Sequence, residues 1–291
     1  SGPTMSLITR VAPALFVLLW SSAFVGAKYG IPFIEPLTFM CLRFTLVTAI
    51  FLGLSLIFQA SWPRSWAEVG HIAFVGLLVQ ALYLSGTFIA LSRGAPAGLV
   101  ALILGLQPVL TVLIVSALPG GRVSILQCLG VALGFAGLIL VLWNKLDLGE
   151  VDNITITLVV IGVCLITIGT LYQGRFCAGM DMLSGNVIQA AVAMVVTGLG
   201  AWSLEEMRID WDDRLILSLG WMVIVVSLGA HTLLLFLLRS NQATKVASLF
   251  YLTPPTVAVM AYFMFDERLT ALALAGMAVT VVGVALVVRG K

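Results

Sequence analysis

Two rows of polar side chains interrupt long apolar stretches of this sequence at helical spacing. Gln80, Tyr83 and Thr87 stand at i, i+3 and i+7, which places them on one face of a helix. A second row of the same kind consists of Thr167, Thr170 and Gln173. Because apolar surroundings offer these groups no hydrogen-bond partner, we predict that both faces point into the protein. There they either bind a solute or bond to neighbouring helices.

Aromatic and polar residues elsewhere in the apolar stretches complete a predicted solute-binding cavity. Trp20 and Tyr83 are its expected walls, and Tyr251 is the aromatic residue contributed by the second half of the chain. Stacking on such rings favours large neutral side chains. The expected hydrogen-bonding groups for the ammonium and carboxylate of a zwitterion are Ser21, Gln80, Gln107, Thr170 and Gln173.

Two titratable residues, Arg43 and His231, also fall well inside apolar stretches and are second-rank site candidates. Arg43 lies about seven residues, or roughly 10 Å, into its stretch, where it would attract a carboxylate. Alternatively, it extends to the surface or caps nearby carbonyls. His231 would be a proton carrier. Its counterpart in the other half, Ser85, lies about 200° from Tyr83 around a helix, so symmetry does not place His231 on the cavity face.

Three prolines occupy equivalent places in two apolar stretches: Pro108, Pro254 and Pro255. Proline lacks the N–H that would bond the fourth carbonyl back, so the carbonyls of Leu104, Phe250 and Tyr251 would be free. We therefore predict hinges at these prolines and regard the freed carbonyls as candidate solute ligands. A simple kink, satisfied by neighbouring groups, is the alternative.

No acidic side chain is placed near the middle of an apolar stretch, although the chain has 13 of them. Proton-driven pumps and exporters of cationic drugs usually need such a group. The absence favours a zwitterionic or neutral solute that moves down its gradient, with any proton effect passing through His231. Enzyme signatures and metal or disulfide patterns of cysteine are also missing, so neither catalysis nor a cofactor is expected.

The composition identifies the surroundings of these residues as lipid. Apolar residues make up 61% of the 291 positions and charged residues 10%, whereas soluble domains have about 25% charged residues. The net charge of +2, without a basic run, argues against nucleic acid as a partner. Runs of about 20 apolar residues predict an all-α membrane protein with ten transmembrane helices. They are expected near 10–30, 36–58, 69–91, 95–118, 124–143, 155–177, 183–204, 215–238, 243–265 and 270–289.

The two halves of the sequence repeat each other at a constant offset of 146 residues. Between positions 91 and 145, 15 of 55 residues recur at this offset, among them Pro108. Because each half holds five predicted helices, an odd number, the second half must enter the bilayer inverted. We therefore predict two inverted five-helix repeats, 5–145 and 146–291, after an expression-tag remnant at 1–4. Such repeats favour alternating access to a site near the bilayer midplane.

Short motifs occur in a fixed order through both halves. They are LWSSAFVGAK at 19–28, Arg43-Phe44, and the turns Gly120-Gly121-Arg122 and Asp266-Glu267-Arg268, which follow the proline-containing stretches. Their order resembles the drug/metabolite transporter superfamily, specifically the EamA-type ten-helix exporters. The resemblance implies export of aromatic and other large neutral amino acids, or of similar metabolites. The chain departs from the family at Gly121, where glutamate is common, so this turn is not expected to take part in the mechanism.

The distribution of basic residues gives an orientation. Counted from a cytoplasmic N-terminus, eight lie near helix ends on one side and six on the other. This bias predicts that both termini are cytoplasmic, and the resemblance implies a bacterial inner membrane. The expected partners are a small solute and the lipid bilayer, with the oligomeric state left open. The alternatives to facilitated export are a proton-coupled drug or metabolite efflux pump and, from another class, a membrane scaffold or intramembrane enzyme.

Overall fold

The computed structural model describes residues 3–117, 124–147, 151–230, 233, 252–268 and 270–289, most of them helical. The helices, numbered along the chain, are α1 (Pro3–Gly30), α2 (Pro36–Ile57), α3 (Trp66–Val75), α4 (Leu84–Ser92), α5 (Ala97–Leu104), α6 (Gln107–Ala117), α7 (Ile125–Asp147), α8 (Asn153–Phe176), α9 (Met182–Leu204), α10 (Asp213–Gly220), α11 (Thr253–Phe265) and α12 (Ala271–Arg289). Two π-helical segments, Gly76–Tyr83 and Trp221–Ala230, continue α3 and α10.

Seven stretches of described helix are long and apolar enough to cross a bilayer. They are Val11–Phe33, Pro36–Ile57, Trp66–Ser92, Ala97–Val115, Asn153–Phe176, Met182–Leu204 and Asp213–Ala230. Two shorter apolar stretches, Ile125–Val141 and Ala271–Val287, lie in α7 and α12. Over its described residues the chain is therefore an all-helical membrane protein. The predicted helices near 215–238 and 243–265 run partly outside the described residues, so the count of ten stays a prediction.

Exposed side chains on these helices suit a lipid environment. Large apolar residues such as Leu199 are exposed. Exposed tryptophans lie near both ends of the α2 and α9 helices: Trp62 and Trp66 follow the end of α2, and Trp202 and Trp211 flank the end of α9. Because tryptophan is enriched at head-group level on both membrane surfaces, this distribution is typical of helices that span a bilayer.

Local structure recurs along the chain at the spacing of the sequence repeat. Three pairs of helices begin 146 residues apart: α2 and α9 (Pro36 and Met182), α6 and α11 (Gln107 and Thr253), and α7 and α12 (Ile125 and Ala271). The π-helical segments also correspond, since they begin at Gly76 and Trp221. Corresponding parts of the two halves thus form corresponding elements.

The chain divides into two compact units, and each contains parts of both sequence halves. The first unit consists of residues 1–27, 94–152 and 220–291, and the second of residues 28–93 and 153–219. Within each unit a helix packs against its counterpart from the other half. These pairs are α7 with α12 in the first unit and α2 with α9 in the second.

Glycines bring α7 and α12 together in the first unit. Gly130 lies against Gly283, and Gly137 lies against Gly276. The order of contacts is reversed between the two helices, so they run antiparallel. A methyl group on Gly130 would come within 2.6 Å of the Gly283 carbonyl oxygen. The close approach of the two backbones therefore requires glycine at this position.

Carboxylates connect the start of α2 with the end of α9 in the second unit. Glu205 accepts hydrogen bonds from the backbone N–H groups of Leu37 at 2.7 Å and Thr38 at 2.8 Å. In return, Glu35 accepts a bond from the backbone N–H of Arg208 at 3.0 Å. The first turn of a helix has N–H groups without helical partners and favours negative charge. Both acidic side chains thus act at helix ends, away from the apolar middle of the spans.

The fourth predicted helix is interrupted at Gly105 and Leu106, which separate α5 from α6. Pro108 lies in the first turn of α6, where its missing N–H would have had no helical partner. Pro254 and Pro255 occupy the corresponding first turn of α11. Pro108 therefore follows a break between two helical segments and does not bend a continuous helix.

Replacing Gly137 with alanine is expected to destabilise the protein, whereas the same change at Gly53 is not. A Cβ at Gly137 would overlap the backbone of α12, while one at Gly53 meets no atom within 4 Å. Overpacking costs about 1–3 kcal/mol, whereas alanine favours a helix over glycine by about 0.5–1 kcal/mol. The thermal unfolding midpoint in detergent should fall for G137A and hold or rise for G53A. Equal midpoints would show that α7 and α12 do not pack in this way.

Candidate solute-binding site

Two glutamine side chains meet inside the second unit. Gln80 Nε2 donates a hydrogen bond to Gln189 Oε1 at 3.0 Å, which links the first π-helical segment to α9. Gln189 is 4% exposed, and its own Nε2 has no hydrogen-bond partner among the described residues. Gln80 is half-buried, and its carbonyl oxygen takes no part in the bond. The pair therefore holds a buried N–H donor that is available to a ligand.

The segment Gly76–Tyr83 approaches α9 closely because its first residue is glycine. A Cβ on Gly76 would come within 2.6 Å of Gln189 Cα and 2.8 Å of the Gln189 carbonyl oxygen. On α8, Gly169 similarly leaves room for Val79. π-helical turns insert an extra residue into a helix and frequently occur at functional sites. Two glycines thus let this segment, which carries Gln80 and Tyr83, lie directly on its neighbours.

Arg43 and Tyr83 form a second polar contact in the same unit. Arg43 is 6% exposed and Tyr83 8%, and the two side chains interact electrostatically. A guanidinium this buried does not extend to the surface. Thr87, the third member of the predicted row, donates to the Tyr83 carbonyl at 2.9 Å and is satisfied within its own helix. Gln80 and Tyr83 are therefore the members of this row that engage other helices.

The predicted row on α8 is divided between the interior and the surface. Thr167 is buried, whereas Thr170 is exposed and its hydroxyl lies 2.8 Å from the Ile166 carbonyl oxygen of the same helix. Gln173 is half-buried. Within the described part of the chain, no hydrogen bond connects the Gln173 side chain with the Gln80 amide. The structure thus brings Gln80, Tyr83 and Arg43 into one region but gives Thr170 and Gln173 different surroundings.

Polar residues of α1 lie beside the second π-helical segment in the first unit. Ser22 accepts a hydrogen bond from Trp221 Nε1 at 2.9 Å, and Trp221 is the first residue of that segment. The adjacent Ser21 is 0% exposed, and its hydroxyl lacks a partner among the described residues. In each unit, therefore, a helix that contacts a π-helical segment carries a buried polar group without a described partner: Gln189 in α9 and Ser21 in α1.

The other predicted residues of the first unit lie at helix starts. Gln107 begins α6, and its carbonyl accepts a bond from the Thr111 hydroxyl at 2.8 Å. The break between α5 and α6 packs on the start of α11, since a Cβ on Gly105 would lie 3.1 Å from Pro254 Cγ. The neighbouring Thr253 is buried, and its hydroxyl has no partner in the described part of the chain.

The predicted aromatic walls belong to different units. Trp20, in the first unit, is half-buried and packs on Phe16 with the ring centroids 5.6 Å apart. Tyr83 belongs to the second unit. His231 and Tyr251 lie outside the described residues, so their roles stay predictions.

Three residues with site character are absent from the sequence-based set: Gln189, Trp221 and Thr253. Gln189 stands 146 positions after Arg43. The repeat thus offered a signal for Gln189, because it relates this residue to a charged candidate. Trp221 and Thr253 carry no comparable signal, because only the contacts of the folded chain bring them to buried polar groups.

The acidic side chains described here lie at helix ends and in connecting segments. Asp181 caps α9 by accepting a bond from the Leu183 N–H at 2.9 Å. Glu267 accepts one from the Ala97 N–H at 3.1 Å, at the start of α5. Within the described ranges, no group of three or more His, Cys, Asp or Glu residues could hold a metal ion.

A cavity of about 400 Å³ lies at the loop end of the second unit. Its lining includes Trp62, Arg64, Glu68, Phe176, Cys177 and Asp181, and none of the predicted site residues. Burial raises the pKa of the Cys177 thiol, which keeps the thiol protonated and weakly nucleophilic. The cavity is thus formed by helix ends and connecting segments, apart from the polar cluster of Gln80 and Tyr83.

Comparison with known proteins identifies the family. The EamA-like transporter family matches residues 11–143 and, separately, residues 153–289. These two matches cover nearly the whole chain, so the protein belongs to the EamA-like transporter family. It is a membrane transporter and not an enzyme.

Bacterial relatives align over almost the full length of the chain. The "Probable amino-acid metabolite efflux pump" of Escherichia coli (strain K12) is 25% identical over 98% of this chain and 96% of its own. The "Uncharacterized transporter YvbV" of Bacillus subtilis (strain 168) is 27% identical over 96% and 91%. The "Uncharacterized inner membrane transporter YedA" of Escherichia coli (strain K12) is 24% identical over 96% and 90%. A solved crystal structure has the same fold, with a TM-score of 0.67, 18% identity and 96% of each chain covered.

Replacing Gly76 with alanine should impair transport, whereas the same change at Gly70 should not. The added methyl group at residue 76 would push the π-helical segment away from Gln189, while at residue 70 it meets no atom within 4 Å. We expect at least about a tenfold loss of solute flux in purified, reconstituted G76A, since a displacement of about 1 Å at a binding site has effects of this size. G70A is the matched control. Full flux in G76A would show that this contact does not position the site.

Proposed function

We propose that the protein exports aromatic and other large neutral amino acids across a bacterial inner membrane by alternating access. Membership of the EamA-like family establishes membrane transport. The name of the Escherichia coli relative refers to amino-acid metabolite efflux, and another relative is named an inner membrane transporter. Both names favour this substrate class and location. In this proposal both termini are cytoplasmic.

The unpartnered amide N–H of Gln189, inside a helix long enough to span the membrane, is the observation that carries the proposal. An unsatisfied polar group in such surroundings costs several kcal/mol. A polar solute that binds there would recover this cost. Tyr83, on the same π-helical segment as Gln80, offers an aromatic surface close to the polar groups. Polar groups beside an aromatic ring suit a zwitterion with a large neutral side chain.

Two inverted repeats fit this function, and several observations support them. The family matches each half separately, and three pairs of helices begin 146 residues apart. The α7 and α12 helices pack antiparallel, as helices related by inversion would. Their contacts also form a symmetric set, because adding 146 to Gly130 and Gly137 gives Gly276 and Gly283. Repeats of this kind create two exchangeable states around one site.

Facilitated movement down the solute gradient is the coupling mode that we infer. The acidic residues in the described part of the chain lie at helix ends or in connecting segments, and several bond to backbone N–H groups there, as Glu205 and Glu267 do. A carboxylate engaged in this way at a helix start is a poor proton carrier. Any dependence on a proton gradient would then pass through His231.

Transport by purified protein in liposomes tests the proposal. Efflux of radiolabelled phenylalanine and leucine should exceed that of glycine, because stacking on an aromatic wall contributes about 0.5–1.5 kcal/mol beyond burial. Tyr83→Ala and Trp20→Ala should each lower phenylalanine flux about tenfold. A pH gradient should change the flux little.

Leu133→Ala is the control, because Leu133 is an exposed residue of α7. It should transport like the unchanged protein. No flux of any amino acid by the unchanged protein would contradict the proposed substrate class. Unchanged flux and preference in both aromatic variants would place the binding site elsewhere.

A further inference from the structure

We propose that the Gln80 and Gln189 amides together form the head-group site for the zwitterionic solute. Gln189 N–H donates to the solute carboxylate, and the Gln80 carbonyl accepts from the solute ammonium. The inference rests on the proposed function and assigns its substrate-recognition step to two named side chains. Gln189 thereby becomes a binding residue that the polar rows of the sequence did not single out.

The hydrogen-bonding capacity of the two amides supports this assignment. A pair of primary amides joined by one N–H to carbonyl bond keeps one NH₂ group and one carbonyl group for other partners. Here these are Gln189 Nε2 and Gln80 Oε1. If both amides are turned over, the bond runs in the opposite sense and again leaves one NH₂ and one carbonyl. The pair offers one donor and one acceptor side by side in either arrangement.

A zwitterionic amino acid carries the complementary groups. Its carboxylate accepts hydrogen bonds and its ammonium donates them, and the two are separated by a single carbon atom. Neutral amides can meet both charges without adding a net charge inside the membrane spans. An amine without the carboxylate would leave the Gln189 N–H unpaired, so the pair should discriminate against it.

Rigid packing fixes the amide pair. Gln189 is buried in α9, and its backbone lies against Gly76 at the start of the π-helical segment that carries Gln80. The backbone atoms of both residues are thus held by helix contacts. Arg43 adds a positive charge beside Tyr83, one turn from Gln80 on the same segment. This charge favours a solute with a carboxylate over a purely cationic one.

The test compares phenylalanine with phenethylamine, which lacks only the carboxylate, as substrates of the full chain in proteoliposomes. In the unchanged protein, phenylalanine should have the lower KM. Gln189→Leu should raise the KM for phenylalanine at least about tenfold and leave that for phenethylamine within about twofold. Gln189→Glu should reverse the preference, because its carboxylate repels that of phenylalanine and attracts the amine.

Two further variants separate recognition from structure. Thr197→Val lies on the same helix, where the threonine hydroxyl is satisfied by the Ala193 carbonyl, and it should leave both KM values unchanged. Gln80→Glu should lower the KM for phenethylamine, which no loss of folding can do.

A purely structural role for Gln189 would change both KM values equally and would overturn the inference. An unchanged KM ratio in both Gln189 variants and in Gln80→Glu would overturn it as well. Failure of the unchanged protein to move any amino acid would instead contradict the proposed function, so the two outcomes are distinguishable.

Discussion

A polar group inside a membrane has no water to bond with, and this constraint explains most of the structure. The backbone meets it by forming helices. Thr87 and Thr197 meet it by donating to carbonyls one turn back. Glu205 meets it at a helix start, where N–H groups need an acceptor. Gln189 and Ser21 are buried groups for which the described residues supply no partner, and a transported solute can take that place.

The helices and their repeat could largely be predicted from the sequence. Long apolar runs determine where helices form, and the helices at Pro36, Met182 and Ala271 begin within about two residues of the expected positions. The offset of 146 residues indicated which helices correspond to each other, and these helices pack together in pairs. Hydrophobic run length and internal similarity are properties of the chain itself, so both can be recognised without knowledge of its contacts.

The details of the site depended on contacts that no sequence pattern specifies. Helical spacing placed Gln80 and Tyr83 on one face, but it could not show that a π-helical segment carries them. The same spacing grouped Thr170 with Thr167, although only Thr167 is buried, because neighbouring helices decide how much of a face they cover. Gln189 joins the site through its bond with Gln80, 109 residues away along the chain. The break before Pro108 depends likewise on packing against the start of α11.

Amide hydrogen–deuterium exchange of the protein in lipid nanodiscs, with and without saturating phenylalanine, tests most directly whether a solute occupies this polar region. Peptides that cover residues 76–83 and 182–192 should exchange more slowly when phenylalanine is bound, because the solute links the π-helical segment to α9. A peptide within 125–147, where α7 packs on α12, should not change. Unaltered exchange at 76–83, together with slower exchange at another part of the chain, would contradict the account.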